Sequence, residues 1–209
     1  MKNIEVEVRG PLNESELKEA KAFFDKNAKF IKEKDRLTLL YFRGDKIPKD
    51  VSEYHGEKVD LRLRVTNKKA EMIIKYGSWS GSDSRKEISL QIDLNKFEEA
   101  IEFLKNLGWH VCVAYSTKTH VYEYKEIEFA LVDILNLKDN YFEAEIMAHE
   151  NEDINKIKQD LIKLCKEIGL REYKGNEFEK QCNDINYICP LDFNKDSFSD
   201  LKKKFKEFL

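Results

Sequence analysis

The sequence predicts an α+β fold, mainly antiparallel, in which about eight strands close into an eight-stranded β-barrel and helices pack on its outside. Several segments alternate strictly between apolar and charged residues, which is the period of a β-strand. Other segments repeat apolar residues at helical spacing, and such helices need an apolar surface to cover. Because the helices cover the apolar faces of the strands, the charged faces either lie open to water or, if the sheet closes, line a wet tunnel. Closure explains more, since an ordinary barrel has an apolar interior and here the helices cover the apolar side.

The first strand is predicted over residues 4–9, where Ile-Glu-Val-Glu-Val-Arg places Glu5, Glu7 and Arg9 on one face. Taken alone, such a charged face is typical of a half-exposed antiparallel strand that meets water. The same alternation returns in later strands, so these charges indicate a shared function rather than solvation alone.

Helices are predicted at three places before the C-terminal stretch. Each begins at a residue that suits an N-cap, and the second and third end at Gly108 and Gly169. The predicted boundaries are Asn13 to about Asn27, Asp93 to about Leu107, and Asn151 to Ile168.

The remaining strands follow one another at short intervals. A Gly/Ser-rich loop covers residues 77–84, and a turn is expected at Ser116. The predicted strands are 36–43, 59–65, 70–76, 85–92, 110–115, 117–124, 127–135 and 141–147.

The charged faces of these strands hold both acids and bases. Same-face neighbours on a strand lie about 7 Å apart, so the carboxylates of each Glu-x-Glu pair repel one another unless a cation lies between them. A hard divalent ion such as Mg²⁺ or Mn²⁺ prefers oxygen ligands, whereas Arg and Lys suit polyphosphate oxygens. The residues concerned, besides those of the first strand, are Arg62, Arg64, Lys75, Arg85, Glu87, Lys118, Asp133, Glu143 and Glu145.

The composition excludes several classes of partner. Among 209 residues, 37 Lys and Arg stand against 40 Asp and Glu, a net charge of -3 that argues against nucleic-acid or membrane-surface binding. No apolar run approaches the roughly 20 residues of a membrane span, and the N-terminus leads into a strand rather than a signal peptide. The four scattered cysteines are interpreted as reduced thiols. We therefore expect a cytoplasmic protein with no nucleic-acid or membrane partner, for which a homodimer stays open.

The chain is predicted to form one main domain over residues 1–170. Residues 171–209 are expected to form an irregular extension with a terminal helix from about Ser197, packed on the same domain. The Lys202-Lys203-Lys204 run of that helix is interpreted as a solvated face.

These charged elements resemble, in order and spacing, the CYTH family of triphosphate tunnel metalloenzymes. The resemblance rests on Glu5-x-Glu7-x-Arg9, Arg62-x-Arg64, Lys75, Arg85-x-Glu87, Asp133 and Glu143-x-Glu145, and it covers roughly residues 1–170. It implies a triphosphate-bearing small molecule as ligand and a divalent metal, Mg²⁺ or Mn²⁺, as cofactor. The metal would be held by Glu5, Glu7, Asp133, Glu143 and Glu145, the phosphates by Arg9, Arg62, Arg64, Lys75, Arg85, Lys118 and His120, and Glu5, Glu7, Arg9 and Glu87 would serve catalysis.

The sequence departs from the family pattern at three places. The first motif ends in Arg9 rather than Lys, which keeps the charge but changes the geometry. Lys118-Thr119-His120 stands where many members have Lys-x-Arg. The Gly that is common before the last acidic pair is replaced by Lys138-Asp139-Asn140.

Four functions follow for such a charged face, and the first is the leading hypothesis. It is a metal-dependent triphosphatase, in which water attacks the terminal phosphorus. The second is a class IV adenylyl cyclase, in which the ribose hydroxyl of ATP attacks the α-phosphorus and pyrophosphate leaves. The third is a module that binds a polyphosphate or nucleotide without turnover. The fourth is a purely structural face whose charges neutralise one another in salt bridges.

Overall fold

The computed structural model describes residues 3–50, 59–76, 86–149 and 152–209. Its strands are β1 Asn3–Leu12, β2 Lys29–Phe42, β3 Val59–Thr66, β4 Lys69–Tyr76, β5 Lys86–Ile92, β6 Val111–Tyr124, β7 Ile127–Ile134, β8 Asn140–His149 and β9 Pro190–Asp192. Its helices are α1 Glu14–Asn27, α2 Phe97–Asn106, α3 Ile154–Glu167, α4 Glu177–Ile185 and α5 Phe198–Lys204.

The strands follow the hydrogen-bonded order β1-β8-β7-β6-β2-β3-β4-β5, and β9 pairs with β6. The registered pairs β1–β8, β7–β8, β2–β3, β3–β4, β4–β5 and β6–β9 are all antiparallel. This confirms the predicted α+β class with an antiparallel sheet. Closure of the sheet into a barrel stays a prediction, as does the division of the chain at residue 170.

The described chain divides into two compact units. The first unit contains residues 3–34, 118–149 and 152–181, and the second contains residues 35–50, 59–76, 86–117 and 182–209. Strands β2 and β6 contribute residues to both units. Within the ranges that the structure describes, no helix has the length and apolarity that a membrane crossing needs.

Helix α1 begins at the predicted N-cap. The Asn13 side chain accepts hydrogen bonds from the backbone N–H groups of Ser15 at 2.8 Å and Glu16 at 3.0 Å. In return, Glu16 Oε2 accepts from the Asn13 N–H at 2.8 Å, which completes a capping box. Four residues of chain therefore satisfy backbone donors that would otherwise be left without partners at the start of the helix.

Exchange of Asn13 for alanine is expected to lower the free energy of unfolding by about 1 kcal/mol, because the side-chain acceptor of the box is lost. Urea denaturation would measure this loss. Asn13→Ser is the matched control, since serine also accepts from the first turn and should keep most of the stability. Equal losses in both variants would contradict a capping role.

The first unit has one hydrophobic core beneath α1 and α3. The core joins Phe24 of α1 and Leu161 of α3 to the sheet residues Val8, Phe129 and Phe142. Because side chains alternate along a strand, Glu143 and Glu145 point away from this core. The helices thus leave the charged face of β8 uncovered, as the alternating pattern predicts.

The second unit has its own core, in which Ile101 of α2 and Leu201 of α5 pack with Leu37 and Leu63 of the sheet. Coverage decreases toward the end of the strand order. Leu63 is fully buried and Met72 and Ile74 are partly buried, whereas Ile88 and Leu90 of β5 are 58% and 61% exposed. The expectation that helices cover the apolar face of every strand is therefore wrong for β5.

Several parts of the chain differ from the predicted elements. Strand β2 begins at Lys29 rather than at Arg36, and α2 begins at Phe97 rather than next to Asp93. Strand β6 runs without interruption through Ser116, where a turn was expected, and Ser116 and Thr117 are buried within it. The C-terminal stretch is more regular than predicted, because it contains α4 and β9 as well as the expected helix after Ser197. Pro190 is accommodated because β9 contacts β6 through a short run, Val111 to Val113, and proline is tolerated in such edge strands.

Candidate metal and phosphate sites

Three carboxylates form a row across adjacent strands of the first unit. Glu7 of β1 lies opposite Glu145 of β8, and Glu145 lies opposite Glu128 of β7. Neighbouring strands are about 4.8 Å apart, so acids in such a row interact strongly. Arg9 lies opposite Glu143 in the same register, two residues further along β1 and on the same face.

Glu5, Glu7 and Glu145 bring one carboxylate oxygen each to within 4.8 Å of one another. Glu5 is exposed, whereas the other two are half-buried. Three carboxylates from two strands are the donor set that a hard divalent cation prefers. The residues present therefore fit a metal, and we call Glu5, Glu7, Glu128, Glu143 and Glu145 the acid cluster.

The raised pKa values of Glu7 and Glu145 reflect burial and an excess of negative charge in the acid cluster. Burial, with repulsion from Glu143 and Glu5, raises the pKa of Glu7 from its usual 4.5 to about 7, although Arg9 opposes the shift. Burial raises the pKa of Glu145 to about 8, and the four other acids of the cluster add to the shift. Arg9 contacts Glu7 and lies 3.0 Å from Glu143, which neutralises only part of this charge. A bound cation would displace the protons that the cluster otherwise holds near neutral pH.

The metal-free protein is expected to lose stability as the pH rises from about 5 to about 8. In the unfolded chain these glutamates release their protons near pH 4.5, whereas in the native state Glu7 and Glu145 hold them to about 7 and about 8. Over this interval the native state binds more protons than the unfolded chain. The stability that Glu7 and Glu145 gain from holding these protons is therefore fully present below pH 4.5, and it is lost as the pH passes their native pKa values.

Urea denaturation in a chelator at several pH values would measure this slope, and Glu7→Gln should flatten it. Saturating Mg²⁺ or Mn²⁺ should stabilise the protein more at the alkaline end than at the acid end, because fewer protons then compete. A metal-free stability that rises over the interval would contradict the assigned pKa directions.

The basic residues of β3 and β4 lie on one face of the second unit. Arg62 donates to both carboxylate oxygens of Asp60, at 2.8 Å and 2.6 Å. Lys75 lies 2.7 Å from Glu87, which is opposite it on β5. These pairs match the alternative in which the charges neutralise one another, so neither pair alone indicates a ligand.

The positive charge of Arg64 is poorly balanced by the residues that the structure describes. Its Nη1 atom lies 3.6 Å from a carboxylate oxygen of Glu71, and no hydrogen-bond partner of the buried Nε atom lies among the residues that the structure describes. Burial, followed by repulsion from Arg36 and Arg62, lowers the pKa of this guanidinium to about 10, against the attraction of Glu71. A guanidinium in this environment favours an anion, and phosphate oxygens accept from it in two places.

Arg36 was not singled out from the sequence, yet it belongs to the same face. It precedes Leu37 and Leu39, which are buried in the core, so alternation along β2 places it on the opposite face. Its Nε donates to Thr66 Oγ1 at 3.0 Å. We call Arg36, Arg62, Arg64 and Lys75 the basic cluster.

Three predicted site residues lie on the other face of the first unit. Lys118 and His120 share a face with Tyr122, whose ring stacks on Phe24 of α1. Glu33 lies 3.4 Å from Lys118 and 3.0 Å from His120. Neither basic residue therefore shares the face that carries the acid cluster, which corrects the expectation that one face collects all the charges.

Asp133 is also on the α1 side. It shares a face with Phe129 and Leu131, which belong to the core beneath α1, whereas Glu143 and Glu145 point the opposite way. The structure thus does not bring Asp133 together with the four glutamates of the two Glu-x-Glu motifs. Arg85, the remaining predicted phosphate ligand, lies outside the described residues.

Comparison with known proteins places this geometry in a family. The family model described as the CYTH domain matches residues 3–176. No protein of curated function matches this chain significantly by sequence. The match covers most of the 209 residues, including the β1, β3, β4 and β8 motifs.

Solved structures show the same fold at low sequence identity. A protein from Pyrococcus horikoshii OT3 aligns with a TM-score of 0.65 and 19% identity, covering 87% of this chain and 99% of its own. A candidate adenylyl cyclase from Hippeastrum, which reveals a dominant triphosphatase activity, aligns with a TM-score of 0.58 and 15% identity, covering 85% and 93%. A candidate adenylate cyclase from Vibrio parahaemolyticus aligns with a TM-score of 0.57 and 14% identity, covering 86% and 97%. With the acid cluster, the basic cluster and the family match taken together, the chain belongs to the CYTH family.

Proposed function

We propose that the protein is a divalent-metal-dependent phosphohydrolase that acts on a triphosphate substrate. The observation that carries the proposal is the acid cluster, where oxygens of Glu5, Glu7 and Glu145 approach within 4.8 Å. Carboxylates held this close favour a divalent cation over a second protein charge. Membership of the CYTH family and the triphosphatase activity named for the Hippeastrum protein support the same interpretation.

The proposal assigns metal binding to Glu5, Glu7, Glu143 and Glu145, with Mg²⁺ or Mn²⁺ as the ion. When bound, the ion would offset negative charge on the triphosphate and lower the pKa of a coordinated water. Glu128 lies beside Glu145 and adds negative charge, so it would tighten binding of the ion without needing to contact it.

The cluster residues also supply a proton acceptor. A carboxylate oxygen of the cluster that does not hold the ion could accept the proton of the attacking water, whose own pKa the bound cation would lower. Arg9 contacts Glu7 and Glu143, and through these contacts it would hold both carboxylates in place.

Phosphate binding is assigned to the basic cluster, with Arg85 as a further predicted member. Arg64 is its central residue, because burial and two neighbouring guanidiniums leave it short of negative charge. Glu87 would orient the Lys75 ammonium through their 2.7 Å contact. Lys118, His120 and Asp133 carry no role in this assignment, since their faces point away from the acid cluster.

The defining experiment is product analysis with inorganic triphosphate, thiamine triphosphate and ATP, in the presence of Mg²⁺ or Mn²⁺. Orthophosphate release that disappears in Glu5→Gln is the expected result. Formation of cyclic AMP and pyrophosphate would contradict the hydrolase proposal and favour an adenylyl cyclase. Metal-dependent binding of the substrates without any product would contradict it as well and favour the non-catalytic binding module.

Substitution of Arg64 tests the phosphate assignment. Arg64→Ala is expected to weaken triphosphate binding by about 10- to 100-fold, the effect of losing charge-assisted hydrogen bonds to one guanidinium. Arg64→Lys should restore only part of the affinity, because an ammonium cannot bind two oxygens in one plane.

Competition binding with inorganic triphosphate would measure these affinities. The control is Arg43→Ala, which removes an exposed arginine just beyond the end of β2. Equal effects at positions 43 and 64 would point to general electrostatics and contradict a specific contact. The homodimer and the cytoplasmic location stay predictions.

A further inference from the structure

A cavity of about 310 Å³ lies between α1 and the α1-side face of the sheet in the first unit. Leu17, Leu131 and Leu137 give it apolar walls. Lys18 and Asp133 line it as well, from the helix and from β7 respectively. Its size falls at the lower end of the range for small-molecule sites, so the ligand that it suits is small.

Two of the charges that line the cavity are neutralised inside the protein. Lys21 lies 2.8 Å from Asp25, and His120 lies 3.0 Å from Glu33. A third lining charge, Glu14, is exposed in the first turn of α1, where an acid suits the helix dipole. None of these three groups needs a ligand.

Asp133 and Lys18 also line the cavity, but unlike the three groups above they have no charge or hydrogen-bond partner among the described residues. Throughout the described ranges, no hydrogen bond or ion pair reaches either side chain. Asp133 is half-buried, and a carboxylate in that setting gains from a hydrogen-bonded partner. The cavity therefore presents one negative and one positive group without a protein partner, and leucine side chains line it as well.

We propose that this cavity binds a small zwitterion of amino-acid size. The ammonium group of the ligand would donate to Asp133, its carboxylate would contact Lys18, and its apolar side chain would pack against Leu17, Leu131 and Leu137. A purely anionic ligand would leave Asp133 repelled, and a purely cationic one would leave Lys18 repelled. The site is separate from the acid cluster, because Asp133 and the glutamates of β8 lie on opposite faces of the sheet, and it does not depend on the proposed function.

Isothermal titration calorimetry on the full chain tests the proposal, with L-leucine and L-phenylalanine as the probes. L-leucinamide and N-acetyl-L-leucine serve as matched probes in which one charge is removed. We expect the free amino acids to bind and both blocked compounds to bind at least about tenfold more weakly. Asp133→Asn and Lys18→Gln should each lower the affinity for L-leucine by a similar factor.

Lys26→Gln is the control variant, since it removes an exposed lysine from the last turn of α1 outside the cavity. Lys18 is exposed on α1, so Lys18→Gln keeps the fold and the test does not depend on Asp133→Asn folding. The proposal is overturned if neither free amino acid binds up to about 10 mM. Binding that the blocked compounds share, or that Lys18→Gln leaves unchanged, overturns it as well.

Discussion

Exchange of Glu145 for glutamine is expected to lower metal-dependent triphosphate hydrolysis by about 100-fold or more while raising the stability of the metal-free protein at pH 8. An amide cannot supply the negative charge that the cation needs, so the metal site fails. The same exchange removes a carboxylate whose pKa burial and four neighbouring acids raise to about 8. Deprotonation of that group destabilises the native state, and glutamine has nothing to deprotonate.

Thermal melting in a chelator and turnover in Mn²⁺ would measure the two effects on one preparation. Glu207→Gln is the matched control, because Glu207 is an exposed glutamate of the second unit. The control should change neither quantity. Loss of activity together with loss of metal-free stability would indicate general misfolding and contradict the assignment of Glu145 to a metal site.

Alanine in place of Gly10 is expected to destabilise the protein by about 2–4 kcal/mol and to displace Arg9. A Cβ atom at this position would lie 1.7 Å from the Arg171 carbonyl oxygen and 2.5 Å from the Phe142 ring. The chain after α3 approaches β1 here, since the Tyr173 N–H donates to the Arg9 carbonyl oxygen at 3.1 Å. Relief of the clash must move either this segment or β1, and β1 carries the first Glu-x-Glu pair.

Chemical denaturation would measure the loss, and turnover per folded molecule would report the displacement of Arg9. Gly44→Ala is the comparison. Gly44 has φ +96°, and a Cβ atom added there would meet no described atom within 4 Å, so only backbone strain of about 1–2 kcal/mol applies. A smaller effect at Gly10 than at Gly44 would show that the close approach does not constrain the chain.

Alternation predicted which residues share a face where a strand has one apolar face and one charged face. Strands β1 and β8 are of this kind, and their pairing brings Glu7 opposite Glu145. The N-cap of α1 was equally predictable from the sequence, because the capping box joins Asn13 and Glu16, which are only three residues apart. Both signals depend on residues that are close in sequence, so contacts with distant parts of the chain change them little.

The placement of Asp133 follows from the rule that residues two positions apart on a strand share a face. It is two residues beyond Leu131 and four beyond Phe129, so it shares their apolar face, whereas Glu128 has the opposite parity and joins the acid cluster. The family resemblance favoured Asp133 as a metal ligand although its parity along β7 does not. Strand β6 offered no comparable signal, because its first five residues are all apolar and its first seven are buried or partly buried on both faces.

The apolar face of β5 and the full extent of the basic cluster could not be predicted for another reason. Exposure of Ile88 and Leu90 depends on how far α2 and α5 extend across the sheet, which periodicity in one strand cannot reveal. Arg36 joined the basic cluster because β2 lies beside β3, and that pairing links residues 30 positions apart. Contacts of this range are set by topology rather than by local pattern.

Pairing of β1 with β8 has a consequence for synthesis on the ribosome. Asn3 pairs with His149, so β1 must wait until the chain has grown by a further 146 residues. At about 5–20 residues per second, the wait is roughly 7–30 s. An apolar strand exposed for that time is prone to aggregate, but charges on every second residue discourage edge-to-edge association. Glu5, Glu7 and Arg9 would thus protect the nascent chain before any metal or substrate reaches them.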